Sequence, residues 1–182
     1  MQYIPLIVIA VIVLWAVSAY NSLVRARNMV KNGWAQIDVQ LKRRFDLIPN
    51  LVETVKGYAK HEQETLERVI QARNAAMGAT SVEDMAVKEG ELRQTLRSLF
   101  ALSESYPDLK ANENFMKLQD ELTGTENKIS YSRQFYNDTV YRYNTRIQIF
   151  PTNLLAKIFN FGPEPLFEVN DPVERETPQV KF

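Results

Sequence analysis

The first twenty-odd positions show no alternation of polar and apolar residues. From Ile4 to Val17 the chain reads IPLIVIAVIVLWAV without a charge, and Ser18, Ala19 and Tyr20 prolong the uncharged run. A helix rises about 1.5 Å per residue, so roughly 20 residues cross the hydrocarbon core of a bilayer. The run predicts a transmembrane helix over 4–20. Tyr3, Trp15 and Tyr20 fall at or near its interfaces, where amphipathic rings are favoured. Pro5 sits in the first turn, where its missing N–H costs nothing. Val17-Ser18-Ala19 loosely resembles a signal-peptidase site, but the preceding MQYIP lacks the Lys or Arg of a signal peptide. The bases Arg25, Arg27 and Lys31 instead follow the run. By the positive-inside rule this pattern predicts an uncleaved anchor with its N-terminus outside and the rest of the chain cytoplasmic.

Beyond the anchor the pattern turns helical. Between Asn28 and Met77, apolar residues recur at Val30, Trp34, Ile37, Leu41, Phe45, Ile48, Val52, Val55, Ala59, Leu66, Val69 and Met77. Steps of three and four dominate, which is one face of a helix. Gly78 is placed as a residue ending that helix, and Thr80 with Glu83 reads as a capping box opening the next. That second helix, over 81–104, turns Met85, Leu92, Leu96, Leu99 and Phe100 inward. Pro107 breaks the chain at Ser105–Asp108. In the third helix Phe115, Leu122, Ile129, Tyr136, Tyr143 and Phe150 form a heptad series, with Leu118, Thr125, Ser132 and Thr139 between them. Such small and polar d-type residues suit packing among several helices better than a two-stranded seam. Pro151 ends the helix, and a short amphipathic piece over 153–161 is expected to fold back. The fold class is therefore all-α: an N-terminal transmembrane helix, then an antiparallel long-helix bundle of three main helices and a short C-terminal one. The boundaries expected are 1–23 for the anchor, 24–162 for the bundle and 163–182 for an extended, proline-rich acidic tail. From Gly162 onward five carboxylates face two bases, a composition poorly suited to ordering itself.

Composition narrows the chemistry. The 182 residues carry 22 Lys+Arg against 22 Asp+Glu, with one His and no Cys. A net charge of zero argues against a general nucleic-acid binder. The absence of Cys excludes disulfides, thiol nucleophiles and thiolate metal sites. His61-Glu62 begins like a zincin motif, but Thr65 stands where the second imidazole belongs, leaving a solvated helix-surface His. Glu62/Glu64 and Glu89/Glu91 lie two apart and point to different sides of a helix, as solvated carboxylates do. No phosphate loop, nucleophile elbow or ligand cluster is present, so neither catalytic residues nor a metal or cofactor are expected.

Two features stand out. Arg25, Arg27, Lys31, Lys42, Arg43 and Arg44 put six bases against the single acid Asp38. Each base near a membrane surface is attracted to anionic headgroups by about 1 kcal/mol, within a Debye length. The first three are close enough. The Lys42-Arg43-Arg44 triplet, about 30 Å further along a straight helix, reads as a solvated face or as a lipid contact if the helix tilts. The second feature is Asp46-Leu47-Ile48-Pro49-Asn50, a proline inside a helical pattern. It predicts either a kink serving a partner or a bend that fits the bundle.

These blocks also carry a family resemblance. Tyr20-Asn21, Trp34 through Arg44, Asp46 through Val52, and Val55-Lys56-Gly57-Tyr58-Ala59 resemble the LemA family. So do Tyr106-Pro107-Asp108-Leu109-Lys110-Ala111-Asn112, then Phe115, Leu118, Gln119, Leu122, Thr125 and Glu126, then Arg133, Tyr136 and Asn137 with Tyr143-Asn144, Phe150 and Pro151, and the ending Pro178, Val180 and Phe182. Phe45 departs from the pattern, standing where the family often has His. The resemblance implies a bacterial inner-membrane protein, single-pass, with a short external N-terminus and a cytoplasmic helical bundle. It implies no established catalysis; family genes often neighbour a heat-shock type membrane metalloprotease, and a magnetosome-membrane protein is similar. The expectation is a non-enzymatic scaffold or adaptor that self-associates or docks a membrane protein such as that metalloprotease. Its contacts are expected at Tyr106, Asp108, Lys110 and Asn112, and at Asp46 and Asn50. The loop string has an equally simple purpose in turn and cap chemistry. The alternative expectation is a membrane-shaping or anionic-lipid-sensing protein using the basic juxtamembrane helix and the segment 154–161.

Overall fold

The computed structural model describes residues 3–168, and the regular structure among them is helical throughout. The elements are α1 (Ile4–Lys56), α2 (Gln63–Met77), α3 (Val82–Ser103), α4 (Pro107–Lys110), α5 (Glu113–Gln148) and α6 (Thr152–Ile158). The expected all-α architecture is found. The apolar segment is not a separate element, because α1 continues through it without interruption and also runs through Pro49. Its N-terminal part is long and apolar enough to cross a membrane. Side chains such as Leu6, Ile9 and Leu14 are exposed there, an arrangement that suits lipid far better than water.

Three local readings differ from the sequence pattern. The helical stripe over 28–77 is split: Gly57, poor in helix-forming tendency, ends α1, and the N–H groups of Tyr58 and Ala59 both donate back to the Val55 carbonyl. His61 is exposed in this turn rather than on a helix surface. The cap of α3 is Ser81 rather than Thr80; its Oγ accepts from the Asp84 N–H at 3.1 Å, while Asp84 Oδ2 accepts from the Thr80 N–H at 3.1 Å. The register of the capping box is therefore Ser81/Asp84, one residue on. Third, the heptad series of α5 is buried from Phe115 to Tyr143, but Phe150 lies beyond the helix and is 78% exposed.

The chain divides into two compact units. One takes the chain up to Asp38 together with Tyr131–Leu166. Within it α1 and α5 run antiparallel, since Ser22 meets Arg146 and Gly33 meets Tyr136. The helices are close at Gly33, where a Cβ would stand 3.4 Å from the Tyr136 Cα, an ordinary contact. Leu23, Val30, Ile37, Tyr136, Val140 and Tyr143 fill the interface, and Trp34 packs edge-on to Tyr136 at 5.7 Å. Asn160, at φ 54°, turns the chain out of α6, a left-handed conformation that Asn tolerates well.

The segment after α6 has no regular secondary structure but is held by hydrogen bonds. As far as Leu166 it lies on the helices, because their polar side chains take up its backbone groups. Tyr143 donates to the Gly162 carbonyl at 2.9 Å and Tyr136 to that of Pro165 at 2.8 Å. Asn144 makes a reciprocal pair with the Glu164 backbone, at 2.8 and 2.9 Å. The rest of the expected tail, 169–182, lies outside the described residues.

The other unit comprises Val39–Ser130 and, of the described residues that follow, Phe167 and Glu168. Its core draws Leu41, Ile48, Leu51 and Val55 from α1, Val69 from α2, Leu92 and Leu99 from α3, Leu109 from α4, and Phe115 and Leu122 from α5. Here too α1 and α5 are antiparallel, Arg43 pairing with Glu121 and Tyr58 with Asn112.

Candidate functional site

Within the Val39–Ser130 unit the apolar core is interrupted by ions. Arg44 on α1 and Glu89 on α3 are each 2% exposed, and Arg44 Nη1 donates to Glu89 Oε2. Arg44 Nη2 also pairs with Glu126 on α5. Arg93, one turn beyond Glu89 on the same side of α3, reaches Glu126 Oε1 at 2.8 Å. Three helices are thus tied at one point. Burial pushes the Glu89 carboxyl above its ordinary range, opposed by the charge and hydrogen bond of Arg44 and by Arg93. Burial likewise lowers the Arg44 guanidinium, opposed by Glu89 and reinforced by Arg93. Arg44 Nε and Glu89 Oε1 are buried without a hydrogen-bond partner among the described residues. A cavity of about 190 Å³ adjoins the cluster, lined by Arg44, Arg93, Arg97, Glu126, Leu96 and Phe100.

This arrangement revises two expectations. Arg44 is neither solvated nor presented to headgroups, and Glu89 is not on a solvated face, whereas Lys42, Arg43 and Glu91 are exposed. Phe45 is buried at 6%. The spacing held the signal. Ile37, Leu41, Arg44, Ile48, Leu51 and Val55 are separated by alternating steps of four and three, as are Met85, Glu89, Leu92, Leu96 and Leu99. Each charge therefore occupies a core position of its helix.

The loop residues singled out from sequence serve the turn between α1 and α2. Tyr106 donates its hydroxyl to Glu62 Oε1 at 3.3 Å, and both burial and the Glu62 charge raise its pKa. Asn112 donates through Nδ2 to the Tyr58 hydroxyl at 2.9 Å, and its Oδ1 accepts from the Phe115 N–H at 3.0 Å, capping α5. Lys110 pairs with Glu104, and Asp108 is exposed in the first turn of α4. Asp46 and Asn50 are exposed on α1, two to three turns before Tyr58, so they do not join the loop in one site.

In the other unit a second ionic region forms where α1 leaves its apolar stretch. Arg146 Nη1 donates to Ser22 Oγ at 2.8 Å, which sets the end of α5 level with the end of that stretch. Arg25 from α1 and Arg142 and Arg146 from α5 line a groove of about 370 Å³, together with Met29, Phe135 and Asp138. Arg27 is directed instead to Glu164, at 3.6 Å, and Lys31 is exposed. At the same level the Tyr20 ring meets Phe159 at 4.7 Å and Phe161 at 5.8 Å. Around this point Ile149, Phe150, Leu154, Ile158 and Phe159 are all exposed. These five exposed apolar side chains, three to thirteen positions beyond Arg146 in the chain, form an apolar rim.

Among the described residues no group of three or more His, Cys, Asp or Glu side chains converges as a metal site. The geometry defines a class: a long-helix bundle whose first helix carries a candidate membrane anchor. A family model described as the LemA family matches residues 33–182. The chain is also 28% identical over 159 residues to a protein of Metamycoplasma hominis named "Protein LemA", covering 85% of this chain and 71% of that one. The chain belongs to the LemA family.

Proposed function

We propose that this chain is a non-enzymatic scaffold or adaptor, held at the cytoplasmic face of a bacterial inner membrane by its N-terminal segment and self-associating there. One observation carries the reading: the apolar segment continues without a break, in the same helix, into the compact unit in which α1 packs on α5 around Leu23, Val30 and Tyr136. A bundle tethered so closely works at the bilayer surface. The bases Arg25, Arg27 and Lys31 just past the apolar stretch favour the cytoplasmic side. In-cell crosslinking of the full-length protein, with mass spectrometry of the captured products, tests this. A ladder made of this chain supports self-assembly, and one abundant foreign membrane protein, such as a metalloprotease, supports an adaptor. Purely monomeric chain at native abundance would sink the reading.

A second reading has its own support. The exposed apolar rim beside Tyr20, next to the arginine groove, favours direct seating of the bundle's end on anionic lipid. In this reading the protein senses or shapes the surface to which it is anchored.

A further inference from the structure

We propose that the groove formed by Arg25, Arg142 and Arg146 is a binding site for the phosphodiester of an anionic phospholipid headgroup. The inference rests on the second reading above and makes it specific to one site.

The bases along α1 and α5 differ in whether a carboxylate neutralises them. Of the bases near the juxtamembrane part of α1, Arg27 has Glu164. Arg43 and Arg44, further along, have Glu121, Glu89 and Glu126. Arg25 and Arg142 have neither an ion pair nor a hydrogen bond among the described residues, and the partner of Arg146 is the neutral Ser22 hydroxyl. One carboxylate in the groove, Asp138, faces three guanidiniums, which leaves a concentrated positive charge. Arginine forks match phosphate oxygens in pairs, so converging guanidiniums form a phosphate site rather than a diffuse attraction.

Position selects the source of the phosphate. Arg142 and Arg146 are one turn apart on α5 and face the same way as Arg25, while the Arg146–Ser22 bond fixes them just past the apolar stretch. Phe159 lies against Tyr20 at that level, and Phe150, Leu154 and Ile158, close to it in the chain, are exposed. When those side chains enter the boundary of the acyl region, the groove stands at the depth of the headgroups. Its volume of about 370 Å³ lies at the small end of ligand-sized clefts, suiting a headgroup and not an acyl chain.

The test is native mass spectrometry of the full chain in mild detergent, titrated with phosphatidylglycerol or with phosphatidylcholine. The wild type is expected to retain phosphatidylglycerol preferentially. The Arg25→Gln/Arg142→Gln variant should lose roughly thirtyfold in apparent affinity, from two headgroup-directed charges. Both side chains are exposed, so the fold should be kept, which circular dichroism checks. Arg25→Lys/Arg142→Lys, which keeps the charge but loses the forked donors, should recover only a minor part of the preference, and full recovery would show diffuse attraction and overturn the groove site. Lys31→Gln/Lys42→Gln should leave it within about twofold, since neither residue lines the groove. If the Lys31/Lys42 pair matters and the Arg25/Arg142 pair does not, lipid sensing survives and the groove site is overturned. If the wild type retains both lipids equally, both fall. Displacement of phosphatidylglycerol by millimolar inorganic phosphate would show a soluble-anion site and overturn the lipid assignment.

Discussion

Arg44 and Glu89, 45 positions apart in the chain, meet as a hydrogen-bonded ion pair with each side chain 2% exposed. Removing two charges from water costs several kcal/mol per ion, and mutual attraction repays it only with good geometry and further partners. Glu126 and Arg93 supply those partners from α5 and α3. The cluster therefore specifies how α1, α3 and α5 register more than it adds net stability.

Truncating one member should be costly. Glu89→Ala leaves the Arg44 guanidinium buried with less compensation and is expected to destabilise the full chain by about 3–5 kcal/mol. Arg44→Met/Glu89→Leu should cost far less than the sum of its single changes, because matched apolar replacements of buried pairs are often near neutral. Urea unfolding of the detergent-solubilised protein, run as a double-mutant cycle, measures both. Additive losses would show that the two side chains do not act as a pair.

Gly33 and Tyr136 give a size rule. A Cβ at position 33 meets the Tyr136 Cα at 3.4 Å, an ordinary though close contact. Gly33→Ala should be tolerated, with a gain of up to about 1 kcal/mol from helix propensity. Gly33→Leu must push α5 away and should cost about 1–3 kcal/mol. Thermal unfolding of the two variants checks the ordering.

Asp84 predicts acid sensitivity at the start of α3. The Lys88 hydrogen bond, then the Thr80 N–H, hold its carboxyl below the ordinary value of 3.8. With the folded pKa depressed, its contribution is fully present above pH 3.8 and disappears as pH falls through the lower folded value. Asp84→Asn should flatten stability against pH in that acidic window and leave the slope at neutral pH unchanged. A parallel shift at all pH values would contradict the assignment.

The loop of Tyr106 to Asn112 separates cap chemistry from partner contact. Asn112→Ala removes an N-cap and is expected to cost about 1 kcal/mol. Exposed Asp108→Ala should change stability by less than about 0.5 kcal/mol. If Asp108→Ala also abolishes a crosslinked product while the fold melts normally, the loop is a contact surface. If only Asn112→Ala has an effect, through stability, the string is turn chemistry.

How much of this was readable beforehand follows from the range of each interaction. The breaks near Gly78 and Pro107 and the heptads of α5 are local patterns, and they fall within a few residues of where the sequence puts them, whereas the apolar run over 4–17 continues unbroken into the rest of α1. The end of α1 at Lys56 was obscured because Val55, Ala59 and Leu66 keep helical spacing across a turn. In sequence Arg44 groups with Lys42 and Arg43 as one basic triplet, although its place between Leu41 and Ile48 marks a core position. Its partners Glu89 and Glu126 come from other helices, so the pair could only emerge once those helices were aligned. The arginine groove was hidden for the same reason: Arg25 lies 117 positions before Arg142 and is brought to it by the antiparallel course of α1 and α5. Composition alone makes the stretch from Gly162 resemble an unordered tail, because it cannot register that Tyr136, Tyr143 and Asn144 satisfy the backbone of residues 162–165.

Because the chain has no cysteine, single engineered thiols report topology without background. Tyr3→Cys and Lys60→Cys, each in the full-length protein, would be treated in intact spheroplasts with a membrane-impermeant maleimide. An anchored protein with its bundle inside the cell is expected to label at position 3 and to label at position 60 only after the membrane is permeabilised. Labelling at position 60 in sealed spheroplasts would contradict the cytoplasmic scaffold, and loss of the position-3 label through N-terminal cleavage would contradict the anchor itself.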